Sequence, residues 1–145
     1  MIIGYTAGVF DLFHIGHLNL LRNAKSVCDK LIVGVSTDEL VAYKHKSPVI
    51  CYEERSEIVR SIRYVDAVMP QENMDKLAIC KKISADILIV GDDWYETDKW
   101  ADHEKEFATT GVKIVYFPYT KNTSSTLINE VLNKKRAEIN GNITN

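Results

Sequence analysis

Residues 2–21, "IIGYTAGVFDLFHIGHLNLL", pass from an apolar, β-branched run into a segment whose apolar residues recur at helical spacing. "IIGYTA" reads as a buried strand, and the segment from about residue 17 to residue 28 reads as a helix. A strand that gives way directly to a helix is the opening half of a βαβ crossover. The same alternation continues along the chain. "KLIVGVS", "DAVMP", "DILIVG" and "VKIVYFP" are further strand candidates. Helical patterns at about 52–62, 74–84, 99–109 and 125–136 accompany them.

Strands alternating with helices imply right-handed crossovers and a sheet covered on both sides. The expected fold is therefore α/β: a Rossmann-like, doubly wound, mostly parallel five-stranded sheet with helices on both faces. The 145 residues suffice for one hydrophobic core, and no linker or internal repeat divides them. One domain is expected over 1–135. The remaining stretch, 136–145, "RAEINGNITN", has no apolar pattern to bury and is expected to be a flexible tail.

Hydrophobic residues make up 46% and charged residues 26% of the chain, with a formal net charge of −2. That balance argues against a general nucleic-acid binder, while local basic clusters can still serve a phosphorylated small molecule. No apolar run reaches the length of about 20 residues that spans a bilayer, so no membrane association is expected. Cys28, Cys51 and Cys80 are odd in number and fit neither a disulfide framework nor a zinc pattern, and the expected location is a reducing cytoplasm.

Ligands of open parallel sheets occupy the crevice beyond the carboxyl ends of the strands. The segments that follow the strands are "GVFDLFHIGH", "STDELVAYKHK", "GDDW" and "PYTKNTSST", all polar or glycine-bearing. Neither G-x-x-x-x-G-K-[ST] nor a G-x-G-x-x-G after the first strand is present. In a helical projection from Gly16, His17 lies within about 80° of Leu20, Leu21, Ala24, Val27 and Cys28, and so at the first turn of the core-facing stripe. His14 projects to nearly the same side. Three readings stand on these residues alone: a core pair satisfied by backbone, a zinc pair, or anion recognition. For the last, imidazole N–H donors would join free backbone amides at the positive end of a helix.

Arg55 is unusual in another way. It projects within about 60° of Ile58, Val59 and Ile62, and an arginine in an apolar stripe must meet a buried carboxylate or an anion in the crevice. Lys44 and Lys46 flank His45, and would share a face if that segment were extended. Asp11 and Asp38 are acidic candidates near strand ends.

"HIGH" resembles the H-x-G-H signature of the nucleotidyltransferase superfamily. "STDE" at 36–39, "YEER" at 52–55, "RYVD" at 63–66 and "GDDW" at 91–94 resemble, in order and spacing, the cytidylyltransferases that act on glycerol 3-phosphate, choline phosphate and ethanolamine phosphate. The likeness runs from Tyr5 to about Lys134, and in size the chain is nearest the small bacterial members using glycerol 3-phosphate. It implies an enzyme that transfers CMP from CTP to a phosphorylated alcohol, releasing pyrophosphate, with Mg²⁺ as the divalent cation.

By the resemblance, His14, His17, Lys44, Arg55 and Arg63 would be catalytic. Gly8, Val9, Phe10, Asp11, Gly16, Lys46, Gly91, Asp92, Asp93, Trp94, Thr120, Ser124, Ser125 and Thr126 would bind the nucleotide, Asp93 near its cytosine and ribose. No carboxylate is assigned to the metal. "RYVD" would also contribute a homodimer contact. The mechanism needs no nucleophilic side chain, because a phosphate monoester with a second pKa near ~6 is already anionic at neutral pH.

The pattern breaks near the end. Where the family carries a motif close to R-T-E-G-I-S-T-[ST], this chain has "YTKNTSST", with Tyr119 for the arginine, Lys121 for the acid and Asn122 for the glycine. Met74 stands where the glycerol-3-phosphate enzymes have tryptophan. These departures bear on the acceptor, with choline phosphate, ethanolamine phosphate or another polyol phosphate as alternatives, and on the choice between CTP and ATP. Loss of turnover with retained nucleotide binding is the remaining alternative.

Overall fold

The computed structural model describes residues 1–91, 98–118 and 125–143. Eleven elements follow one another: β1 (Ile3–Gly8), α1 (Ile15–Ser26), β2 (Lys30–Ser36), α2 (Asp38–Tyr43), α3 (Tyr52–Arg60), β3 (Ala67–Gln71), α4 (Lys76–Lys82), β4 (Ile87–Gly91), α5 (Asp98–Ala108), β5 (Lys113–Phe117) and α6 (Ser125–Ile143). The strands form one five-stranded sheet in the order β3-β2-β1-β4-β5, and every pairing is parallel. The expected α/β, Rossmann-like, doubly wound architecture is the one observed.

The pleat sends alternate residues to opposite faces, and two cores result. Leu31, Val33, Val35, Ile87 and Ile89 pack with Leu21 and Ala24 of α1 and Val59 of α3. Tyr5, Leu88 and Val90 pack with Cys80 of α4 and Phe107 of α5. Because both faces are covered, the central strands are continuously apolar, which is why they stand out in the sequence. Each fully buried leucine or valine here contributes about 1.5–3 kcal/mol of transfer free energy.

Gly34 has a specific packing reason. A Cβ there would lie 2.8 Å from Tyr5 Cζ, so the absent side chain lets the Tyr5 ring cross β2. Its hydroxyl then donates to Gln71 Oε1 at the end of β3.

The chain order reverses between β1 and β4, and there the sheet opens. β1 pairs with β2 through Gly8↔Val35, but with β4 only at Gly4↔Ile87 and Tyr5↔Leu88. Thr6 spans the divergence by donating its Oγ1 hydroxyl to the Ile89 carbonyl at 2.9 Å. This is the topological switch point at which open α/β sheets bind ligands.

Two elements differ from expectation. "DELVAY" forms the short helix α2, capped by the Thr37 hydroxyl on Leu40 N–H at 3.2 Å. α6 runs on to Ile143, beyond the end expected near 136. "KKRAEI" is built from residues with good or neutral helix propensity, so the helix continues without an apolar face to hold it.

Candidate functional site

A cavity of about 560 Å³ lies at the splayed carboxyl ends of β1 and β4. Its floor is Thr6, Ala7 and Gly8 of β1 with Val90 and Gly91 of β4. Val9, Phe10, Asp11, His17 and Leu20 form one wall, and Val41 with Lys46, Ser47 and Pro48 another. Lys76 of α4 and Glu130 and Asn133 of α6 complete it.

The turn from β1 into α1 is held in a sparsely populated conformation. Phe10 and Leu12 have φ of 55° and 50°, in the left-handed region that costs a bulky residue on the order of 1–3 kcal/mol. Packing over-determines the turn. The Phe10 ring is buried, meets His17 edge-on at 5.3 Å and lies 6.5 Å from Phe13. Gly8 eases the same fold-back, since a Cβ there would make a tight contact with the Phe10 ring at 3.2 Å.

His14 caps α1. Its Nδ1 accepts from Gly16 N–H at 3.0 Å, and its own N–H donates to His17 Nδ1 at 3.2 Å, a reciprocal capping box made from two imidazoles. The rings stack at 3.9 Å between centroids. An Nδ1 that accepts a bond carries no proton, so in the neutral rings the proton sits on Nε2. Burial, and secondarily the neighbouring His14, push the His17 pKa down to about 4, with Asp11 opposing. Burial lowers His14 as well. Both rings are thus neutral Nε2–H donors at physiological pH. The Gly16 amide is taken by His14, so it is not among the free backbone amides on which the anion reading draws.

Asp11 is 7% exposed, and its two carboxylate oxygens accept Val49 N–H at 2.8 Å and Ile50 N–H at 2.9 Å. It thereby anchors the loop that brings Lys46 and Ser47 to the cavity. Lys44 and His45 form a turn, with His45 at φ 61°, so the extended backbone on which a shared face for Lys44 and Lys46 depends does not occur. Lys46 lines the cavity. Lys44 is half-buried beside it, its pKa lowered first by burial and then by Lys46.

Arg55 is 0% exposed and met the first of its two expected fates. Its Nη2 pairs with Asp38 Oδ1 at 2.6 Å. Nη1 donates to the carbonyls of Val9 at 2.6 Å and Ser36 at 2.8 Å, and Nε to that of Ile50 at 2.8 Å. Four of its five N–H donors are spent on the protein. It lies behind the cavity wall as a positioning residue, tying the ends of β1 and β2 to α2 and the Asp11-anchored loop.

Arg63 is exposed and lies just before β3, at the amino edge of the sheet, opposite the cavity. Within one chain it does not join the other candidates. Of the remaining ones, Gly8, Val9, Phe10, Asp11, His17, Lys46 and Gly91 line the cavity, with His14 and Gly16 in the cap behind His17. Asp92, Asp93, Trp94, Thr120 and Ser124 lie outside the described residues, as do the side chains of Ser125 and Thr126 at the start of α6.

Sequence reasoning missed Thr6, Ser47, Lys76, Glu130 and Asn133. Lys76, Glu130 and Asn133 sit in helical patterns whose register alone does not mark a cavity, and Thr6 lies inside a strand. Among the described residues no cluster of three potential metal ligands occurs, and the cavity's carboxylates are Asp11 and Glu130.

Residues 5–131 match the family model described as cytidylyltransferase-like. A glycerol-3-phosphate cytidylyltransferase of Staphylococcus aureus is 37% identical over 134 residues, 92% of this chain and 96% of that protein. An FAD synthase of Thermococcus kodakarensis is 32% identical over 114 residues, 77% of this chain and 76% of that protein. The family therefore includes more than one nucleotidyl transfer. The crystal structure of a lipopolysaccharide core biosynthesis protein from Thermoplasma volcanium superposes with a TM-score of 0.70 at 24% identity, covering 85% of this chain and 99% of that one. That likeness bears on the fold. The chain belongs to the cytidylyltransferase-like family of nucleotidyltransferases.

Proposed function

We propose that the protein transfers CMP from CTP to glycerol 3-phosphate, giving CDP-glycerol and pyrophosphate for a surface polymer. An oxygen of the acceptor phosphate forms a bond to the α-phosphorus of CTP. The bond from that phosphorus to the β-phosphate bridging oxygen breaks, and pyrophosphate leaves with its electron pair. The acceptor is already anionic, so no general base is needed, and the barrier is one of alignment and charge.

The observation that carries this reading is the His14–His17 pair at the switch-point cavity. Two neutral rings, with Nδ1 occupied by the cap, keep Nε2–H as their free donor, and His17 offers its own from the cavity wall to phosphate oxygens whose charge grows as pyrophosphate departs. Lys44 and Lys46 supply the neighbouring positive charge. The nucleotide enters as its Mg²⁺ complex. The protein works as a homodimer in the cytoplasm, and the sequence departures at Tyr119 and Met74 bear on which acceptor it prefers.

The test is turnover. Protein, Mg²⁺, CTP or ATP, and a panel of glycerol 3-phosphate, choline phosphate, ethanolamine phosphate and other polyol phosphates are combined, and pyrophosphate is measured. Release with CTP and glycerol 3-phosphate is expected, with His17→Ala slower by at least about a hundred-fold, the scale of a lost transition-state donor. A second reading keeps the chemistry and changes the substrates, and the absence of the family arginine at Tyr119 favours keeping it in view. A preference for ATP, or for another acceptor, would select it. Binding of CTP without pyrophosphate from any acceptor would mark a non-catalytic nucleotide-binding protein.

A further inference from the structure

The cavity is larger than the histidine pair needs, and its remaining walls have a chemistry of their own. Lys76, the first residue of α4, reaches it from the sheet face opposite α1. Glu130 and Asn133, one turn apart on α6, border the same space. A chain of hydrogen bonds running from the core out to the surface fixes the turn that carries Lys76. The Tyr5 hydroxyl donates to Gln71 Oε1, and Gln71 Nε2 donates to the Asn73 carbonyl at 2.6 Å. Asn73 Oδ1 in turn accepts Asp75 N–H at 2.9 Å, and Asp75 Oδ1 caps α4 on Ala78 N–H at 3.0 Å. Tyr5 and Gln71 are core residues at 0% and 2% exposure, so Lys76 stands on a built turn, not on a loose loop.

We infer that Lys76, Glu130 and Asn133 form the acceptor subsite, and that it is made for a phosphorylated polyol. The assignment rests on the nucleotidyl-transfer reading above. In-line attack places the acceptor phosphate across the α-phosphorus from the departing pyrophosphate, and so away from the histidine wall. Among the described lining residues, Lys76 is the cation that the opposite face supplies there. A carboxylate and an amide on the α6 border of the same cavity accept from and donate to hydroxyl groups, and the Glu130 charge keeps the acceptor's phosphate at the Lys76 end. A quaternary ammonium would call for an aromatic cage. Among the described lining residues the aromatic one is Phe10, already packed on His17.

The experiment compares glycerol 3-phosphate with ethyl phosphate, which has the phosphate and no hydroxyl. Lys76→Gln should raise KM for both acceptors by about ten- to a hundred-fold, as for a lost charge-assisted hydrogen bond. CTP affinity, measured by calorimetry without acceptor, should stay within about two-fold of wild type, and Lys76→Arg should recover part of the loss. Glu130→Ala or Asn133→Ala should lower kcat/KM for glycerol 3-phosphate while sparing ethyl phosphate. Weakened CTP binding in Lys76→Gln, or unchanged KM in an active wild-type background, would overturn the subsite. A wild-type protein without turnover on any acceptor would instead remove the functional reading on which it rests.

Discussion

His17 is asked to be two things at once, a packed residue against Phe10 and Phe13 and a donor to an anion, and its titration records the conflict. Burial holds its pKa near about 4, whereas an unfolded-chain histidine titrates near ~6.5. The folded state therefore binds fewer protons than the unfolded state between those values, and stability falls as pH drops from about 6.5 to about 4. The loss approaches about 3 kcal/mol by the lower end of that range, since each pKa unit corresponds to about 1.4 kcal/mol. Chemical denaturation across this range should show the slope in wild type and a shallower one in His17→Gln. Equal slopes would mean that the ring is not held neutral by its surroundings. Bound triphosphate should act in the opposite direction, raising the His17 pKa toward its ordinary value, because an anion at Nε2 favours the imidazolium.

Secondary structure was legible wherever an element faced a core. All five strands fell within about two residues of their expected ends, since buried strands are continuous apolar runs with β-branched side chains. α2 was missed because six residues carry too little periodicity to separate "DELVAY" from a polar loop, although Thr37 before two acidic residues is a helix-start signal. That short helix changes the meaning of two motifs. It converts the lysine segment from an extended strip into a turn, and it delivers Asp38 to Arg55. Position in the apolar stripe correctly marked Arg55 as needing an anion, but the spacing could not tell a buried carboxylate from a substrate.

The consequence for Arg55→Ala is instability rather than a folded, inactive protein. Truncation strands the carbonyls of Val9, Ser36 and Ile50 and leaves the Asp38 carboxylate, 41% exposed, without its partner. Removing one member of a buried ion pair costs roughly 3–5 kcal/mol, and solvent access at Asp38 places this site toward the lower end. The urea midpoint should fall accordingly. Arg55→Lys should not restore it, because an ammonium cannot reproduce four diverging contacts. A variant of wild-type stability with lost turnover would return Arg55 to direct substrate contact.

At the scale of the whole molecule, the direction of the parallel strands separates Arg63 from the cavity. α3 begins near the carboxyl end of β2 and returns the chain to the amino end of β3, leaving Arg63 on the far edge. There Arg63 Nη2 donates to Tyr64 OH at 2.9 Å, and Arg22 Nε to the same oxygen at 3.3 Å. Hydrogen bonds from Arg22 and then Arg63 hold the Tyr64 phenol below its ordinary pKa, so an exposed basic cluster is already ordered on that edge. If Arg63 takes part in the transfer, as the "RYVD" motif implies, a second copy must present it. The proposed homodimer then makes each site from His17 of one protomer and Arg63 of the other. His17→Ala and Arg63→Ala proteins, each inactive alone, should complement when mixed and allowed to exchange subunits. Random pairing makes half of the dimers mixed, with one of two sites intact, so recovery should approach about a quarter of wild-type activity. No recovery in a mixture shown by light scattering to be dimeric, and by tagged pull-down to have exchanged, would mean that Arg63 does not act across the dimer.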